Sequence, residues 1–156
     1  MNFISFPLAA AVKKIRRCKL KPGVIKVKTN KEVCQGCRTC EAVCSLNHTD
    51  AVSPQTRGIQ ISELGQLGKF KITVCQQCFD MPCAEACPEK IIARNAYSGA
   101  VVIGEGCIGC GSCAEACPFS AIVMTDFDGE VKPFKCDLCG GLPECVSACP
   151  RQALSW

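Results

Sequence analysis

Cysteine placement constrains this chain more than any other feature. Of its 17 cysteines in 156 residues, all but Cys18 fall into four tight quartets. These are Cys34, Cys37, Cys40 and Cys44; Cys75, Cys78, Cys83 and Cys87, then Pro88; Cys107, Cys110, Cys113 and Cys117, then Pro118; and Cys136, Cys139, Cys145 and Cys149, then Pro150. The third quartet has the two-two-three spacing, closed by proline, that holds a cubane 4Fe-4S cluster. Three closely spaced thiolates can wrap one cube, while the fourth, at the start of a helix, turns away to ligate a neighbouring cube. Small residues in the wrap, such as Gly36, Gly109 and Gly111, let backbone N–H groups point at cluster sulfur and tune its potential. A proline after the last cysteine has no N–H to satisfy and fixes the exit direction. The second and fourth quartets widen the loop before the third cysteine, by Phe79 to Pro82 and by Gly140 to Glu144.

Other cysteine chemistries fit the pattern poorly. A disulfide framework favours an even count and an oxidising compartment, whereas the count is odd and no secretory signal pattern is present. Structural zinc wants two Cys-x-x-Cys pairs with a spacer of about a dozen residues. Here the third and fourth cysteines follow at once. Four complete quartets therefore predict four 4Fe-4S clusters. Only the stretch from Pro88 to Gly106, room for a short helix and a hairpin containing Ala100 to Ile103, separates the second and third quartets, so these form a local pair. Cys117 then joins Cys75, Cys78 and Cys83, and Cys87 joins Cys107, Cys110 and Cys113. By elimination the outer quartets close on each other. Cys44 joins Cys136, Cys139 and Cys145, and Cys149 joins Cys34, Cys37 and Cys40.

Around these loops the aliphatic runs are short. Val24 to Val27, Gly58 to Ser62, Lys69 to Val74, Ala100 to Ile103 and Ala121 to Met124 are candidate strands. Helices are expected over 40–47, 83–90 and 113–120. With so little conventional core, metal–thiolate bonds replace apolar packing, and the metal-free chain is expected to be largely unfolded. The formal charge of +4 is uneven: residues 1–33 carry nine Lys or Arg and one Glu, whereas the remainder carries nine against thirteen acids. An oxidised cube with four thiolates carries about −2, so four cubes would bring the holoprotein to roughly −4. Residues 1–33 read as a basic arm that straps a partner, with Met1 to Val12 apolar; residues 34–156 read as the cluster domain. Its inner part is about 70–125, and its outer part combines about 31–65 with 130–154. The apolar start is too short to span a bilayer and lacks the charge order of a secretory signal, so the protein is expected to be cytoplasmic. No nucleic-acid reader motif accompanies Lys13 to Arg17. Gly104-Glu-Gly106-Cys-Ile-Gly109 imitates a dinucleotide fingerprint, but its cysteines belong to the third quartet. His48, the sole histidine, reads as a packing or surface residue, and Cys18 as a spare thiol.

Cys34-Gln-Gly-Cys37-Arg-Thr-Cys40-Glu-Ala-Val-Cys44, with the three later quartets, resembles the four-cluster ferredoxin-like electron-transfer subunits of molybdenum, tungsten and nickel–iron enzymes. The resemblance covers about residues 31–154. It implies an α+β, ferredoxin-like fold of two pseudo-symmetric bacterial-type modules, each holding two clusters, and nested cluster pairing is usual there. Through Ser45 to His48, Pro54 and Gly58 to Ser62, the chain is similar to the small iron–sulfur subunits accompanying tungsten aldehyde oxidoreductase and benzoyl-CoA reductase. The implied role is a single-electron relay between a catalytic partner subunit, of tungsten or molybdenum type, and an external carrier such as ferredoxin. An anaerobic hetero-oligomer follows, with no active site of its own. Alternatives within the resemblance are a hydrogenase or formate dehydrogenase subunit and a free polyferredoxin. A cluster-based redox enzyme would need an open iron site and an acid–base pocket, neither of which the complete quartets suggest.

Overall fold

A computed structural model describes Cys18, residues 24–127 and residues 129–156. The apolar start and the Lys13 to Arg17 cluster lie outside the described residues. Among the described residues, eight short strands and four helices follow one another, joined by loops and hairpin turns. The order is β1 (Lys28–Thr29), α1 (Thr39–Thr49), β2 (Ile59–Glu63), β3 (Phe70–Val74), α2 (Pro82–Glu85), β4 (Ile92–Arg94), β5 (Val101–Ile103), α3 (Ser112–Ala116), β6 (Val123–Phe127), β7 (Glu130–Phe134), α4 (Glu144–Ser147) and β8 (Leu154–Ser155). A 3-10 turn, Leu138–Gly141, precedes α4.

Among the described residues all strand pairing is antiparallel and two-stranded. β2 pairs with β3 with Ile61 opposite Ile72, β4 with β5 with Ala93 opposite Val102, and β6 with β7 with Thr125 opposite Lys132. These three are hairpins, whose local closure costs little entropy. The β4–β5 turn is fixed by the Asn95 side chain, which accepts from Tyr97 N at 2.8 Å and Ser98 N at 3.0 Å. Such an Asx turn replaces backbone bonds that a loop would lack. β1 pairs with β8, and Asn30 N donates to Ala153 O at 2.8 Å, which ties the two ends of the described chain together. Helices follow the same nesting: α1 packs on α4, and α2 on α3.

Several expectations from sequence change in detail. Val24 to Val27 is no strand; Val27 is buried, and the ladder starts one residue later at Lys28. Residues 24–29 thus lie against the body although they fall within the stretch read as an arm. Ala121 and Ile122 are buried before β6 begins. The second and third helices stop at Glu85 and Ala116, short of the expected 90 and 120. Cys87 and Cys117 each precede proline, whose ring disfavours helical backbone in the residue before it; Cys117 has φ −75° and ψ 113°. β7, β8 and α4 carry no clear sequence signal, since β7 contains Pro133 and two charged residues, and α4 and β8 span only four residues and two.

The apolar core has two parts, both built around cysteines. Val27, Ile59, Ile61, Val74, Leu138 and Leu154 surround Cys40, Cys44, Cys75, Cys136 and Cys145. Ile92, Val101 and Ile122 surround Cys83, Cys87 and Cys113. Glu41 anchors α1 inside the first part: its buried carboxylate accepts from Ile61 N at 2.6 Å and pairs with Arg57 at 3.1 Å and Arg38 at 3.6 Å.

Candidate metal centres

Three cavities are lined by cysteines from two quartets each. Cys87 meets Cys107, Cys110 and Cys113, with Pro88 and Pro133 on the wall. Cys149 meets Cys34, Cys37 and Cys40 beneath Ile61 and Leu154. Cys117 meets Cys75, Cys78 and Cys83, with Val101 and Lys135 alongside. The remaining four, Cys44, Cys136, Cys139 and Cys145, gather between α1 and α4. Burial first, then the neighbouring Cys136, Cys44, Cys139 and Cys40 thiols, push the Cys145 thiol up.

The loops that present these thiols share one backbone device. The residue before the second cysteine of each quartet is left-handed: Gly36 (φ 68°), Gln77 (φ 50°), Gly109 (φ 69°) and Leu138 (φ 61°). That bend lets a Cys-x-x-Cys turn wrap inward. Glycine is needed at two of the four because a neighbour approaches closely: a Cβ on Gly36 would meet Phe70 Cε1 at 2.3 Å, and one on Gly109 would meet Val131 O at 2.2 Å. Beyond the last cysteine, Lys90, Ser120 and Gln152 are also left-handed, each three residues after Cys87, Cys117 and Cys149. At two of these turns a backbone N–H reaches cysteine sulfur, Ala121 N to Cys117 Sγ at 3.4 Å and Ala153 N to Cys149 Sγ at 3.3 Å. Gly58 N does the same for Cys44 Sγ at 3.2 Å.

Thiol electrostatics divide by exposure. Burial pushes the thiol of Cys40 up to about 12, that of Cys136 to about 12 and that of Cys83 to about 11. Burial also raises Cys113 and Cys139. The exposed Cys37 and Cys110 go the other way, lowered by the hydroxyls of Thr39 and Ser112 at 3.5 and 3.4 Å. Soft sulfurs in sets of four, most of them buried or half-buried and three of the sets free of any disulfide, suit a metal centre that displaces thiol protons on binding. The residues present fit 4Fe-4S clusters on that ground.

Cys18 departs from its expected role, and His48 takes the packing one of the two read for it. Cys18, expected to be a spare thiol, is joined to Cys78 in a disulfide, their Cα atoms 5.8 Å apart. In this state Cys78 has no free thiol, although it lines the same cavity as Cys75, Cys83 and Cys117. His48 is no surface residue. Its Nδ1 lies 2.7 Å from Cys44 O and its Nε2 3.0 Å from Asp137 Oδ1, and Phe134 packs edge-on against the ring. A carbonyl and a carboxylate both need a donor, so the ring is an imidazolium; the Asp137 hydrogen bond, followed by Cys44, pushes its pKa up to about 11. No sequence signal links residues 89 positions apart. Met81 packs against the core part around Cys83, whereas the C-terminal Trp156 is half-exposed.

The chain matches the 4Fe-4S dicluster domain family over residues 106–154 and the 4Fe-4S binding domain family over residues 31–49. It is 42% identical over 117 residues to the polyferredoxin-like subunit of the aliphatic sulfonate oxidoreductase of Pyrococcus furiosus, covering 74% of this chain and 66% of that one. It is 36% identical over 143 residues to the electron transport protein HydN of Escherichia coli, covering 78% and 81%. It is 31% identical over 144 residues to a subunit of the anaerobic dimethyl sulfoxide reductase of Haemophilus influenzae, covering 80% and 69%.

Proposed function

Since the chain belongs to the family of ferredoxin-like 4Fe-4S electron-transfer proteins and oxidoreductase subunits, we propose that it relays single electrons through four clusters between a catalytic partner and an external carrier. The ligands of the four sites are Cys34, Cys37, Cys40 and Cys149; Cys44, Cys136, Cys139 and Cys145; Cys75, Cys78, Cys83 and Cys117; and Cys87, Cys107, Cys110 and Cys113. Bound clusters supply one-electron redox capacity at potentials set by charge, hydrogen bonds and exposure. The chain's own residues hold and order the sites. The observation that carries this reading is the mixing of quartets, because each of the three cavities draws three cysteines from one quartet and the fourth from another.

Neighbouring thiols support a linear order. Cys40 acts on Cys145, which links the Cys34 set to the Cys44 set. Cys75 acts on both Cys136 and Cys83, which links the Cys44 set to the Cys75 set. Cys117 packs in the same apolar cluster as Cys87 and Cys113, which joins the Cys75 and Cys87 sets. The two terminal sets contain the exposed Cys37 and Cys110, and the two central sets are buried or half-buried. A chain of sites that is open at both ends and closed in the middle suits transfer from one partner to another.

The outer module then comprises about 31–65 with 130–154, and the inner module about 70–125. The partner is a tungsten or molybdenum oxidoreductase, consistent with the family resemblance; a hydrogenase or formate dehydrogenase is the second reading, favoured by relatives such as component A of hydrogenase-4 from Escherichia coli. Among the described residues no helix is long and apolar enough to cross a membrane. Loading of the Cys75 set requires the Cys18–Cys78 bridge to be open. Anaerobic purification from the native source should give about sixteen irons per chain, matched by sulfide, and reversible reduction without turnover of an organic substrate. Co-elution identifies the partner. A stable fold with zinc alone and no sulfide would overturn the proposal.

A further inference from the structure

Lys135 breaks the repeat that relates the four quartets. The residue immediately before the first cysteine is Val33, Val74 and Gly106 in the other three, and a lysine only in the fourth. That lysine is buried at 6% exposure. Its Nζ donates to Cys136 O at 2.7 Å and to Val101 O, and these carbonyls are its only acceptors among the described residues. No carboxylate among the described residues pairs with it. A buried ammonium satisfied by carbonyl oxygens alone keeps its full charge uncompensated, a state proteins avoid unless an anion lies nearby.

Its position supplies the candidate anions. Lys135 lines the cavity of Cys75, Cys78, Cys83 and Cys117, and the residue it bonds through the backbone, Cys136, belongs to the adjacent set. The same junction is braced by Gln77, fully buried, which donates to Cys136 O at 3.1 Å and accepts from Val101 N at 2.8 Å. Held by two carbonyls whose strands Gln77 braces, the lysine has little freedom to withdraw its charge.

We propose that Lys135 is a fixed internal cation between the two central cluster sites, and that it raises the reduction potential of both. This rests on the four-site reading. A cluster becomes one unit more negative on accepting an electron, so a nearby positive charge favours the reduced form. In a buried junction that attraction is screened far less than at the surface. Lys135 is a positioning residue for charge and takes no part in electron transfer itself.

The test uses the intact chain, loaded and handled anaerobically, with iron and sulfide counted and each one-electron transition followed by potentiometric titration with electron paramagnetic resonance. Lys135→Gln keeps a hydrogen-bond donor without the charge, Lys135→Met removes both, and Lys135→Arg restores the charge. In the Gln and Met variants two transitions should move to lower potential. Each should lose at least tenfold in reduced-to-oxidised ratio at fixed potential, about 59 mV for one electron. The other two should stay in place, and the Arg variant should return the shifted pair to within threefold of wild type. If the Gln variant sheds iron while the Arg variant keeps it, the charge is required and the inference stands. Full iron content with no shift in Lys135→Gln would overturn the inference alone, as would equal iron loss from the Arg variant. Wild-type protein without iron and sulfide would overturn the four-site reading as well.

Discussion

Gly109 and Gly111 flank Cys110 in one loop and offer an internally controlled test of how tightly the protein closes on a cluster. Both are left-handed, at φ 69° and 76°, so alanine at either pays the same backbone penalty of roughly 1–2 kcal/mol. They differ in surroundings. Nothing lies within 4 Å of a Cβ on Gly111, whereas one on Gly109 would sit 2.2 Å from Val131 O. Normal contact would need the β6–β7 hairpin to retreat by about 1 Å, and overpacking of that kind costs roughly 1–3 kcal/mol. Gly109→Ala should therefore exceed Gly111→Ala by that amount, or about 5- to 150-fold in an equilibrium or rate governed by the closed loop. Loss of visible absorbance after adding an iron chelator to the loaded protein reads this directly, because cluster release follows opening of the loop. Equal rates for the two variants would refute the reasoning, since they would show that Val131 does not press on the third-quartet wrap.

Other perturbations probe different layers of the structure. Glu41→Gln leaves the half-buried Arg57 without its carboxylate and weakens the bond to Ile61 N; breaking a fully buried pair costs about 3–5 kcal/mol, so a loss somewhat below that range should register as a lowered Tm in calorimetry of the loaded protein. His48 has a folded pKa raised to about 11 from an ordinary 6.5, so its contribution to stability is complete below about pH 6.5 and is lost as pH rises towards 11. Wild-type protein should accordingly lose stability between about pH 7 and 10 by more than His48→Gln does, and parallel pH profiles would contradict the imidazolium assignment. Removing iron anaerobically should collapse most secondary structure by circular dichroism, because α2, α3 and α4 span only four, five and four residues and cannot persist alone.

The four quartets determine, before any folding is considered, which chemistry the chain can hold, because thiolate spacing of this kind is a covalent property of a short segment. The hairpin around Ala100 to Ile103 and the bends at Gly36 and Gly109 are legible for the same reason, since each is settled within a few residues. The helix ends are less so: prolines after Cys87 and Cys117 cut short what the surrounding residues favour. Nothing local marks Gln77 or Leu138 as left-handed. Each takes that conformation without glycine's freedom because the loop repeats the bend of its counterparts, and each is fully buried, Gln77 by bonds to Val101 and Cys136 and Leu138 in the apolar core. Tertiary structure alone sets the remaining features: His48 against Asp137, Cys18 against Cys78, and Lys135 sealed between two sets of thiols. These join residues 89 and 60 positions apart, or change a charge's environment through burial. Sequence fixes the donors a segment carries, but the field those donors experience depends on which distant segments exclude water around them.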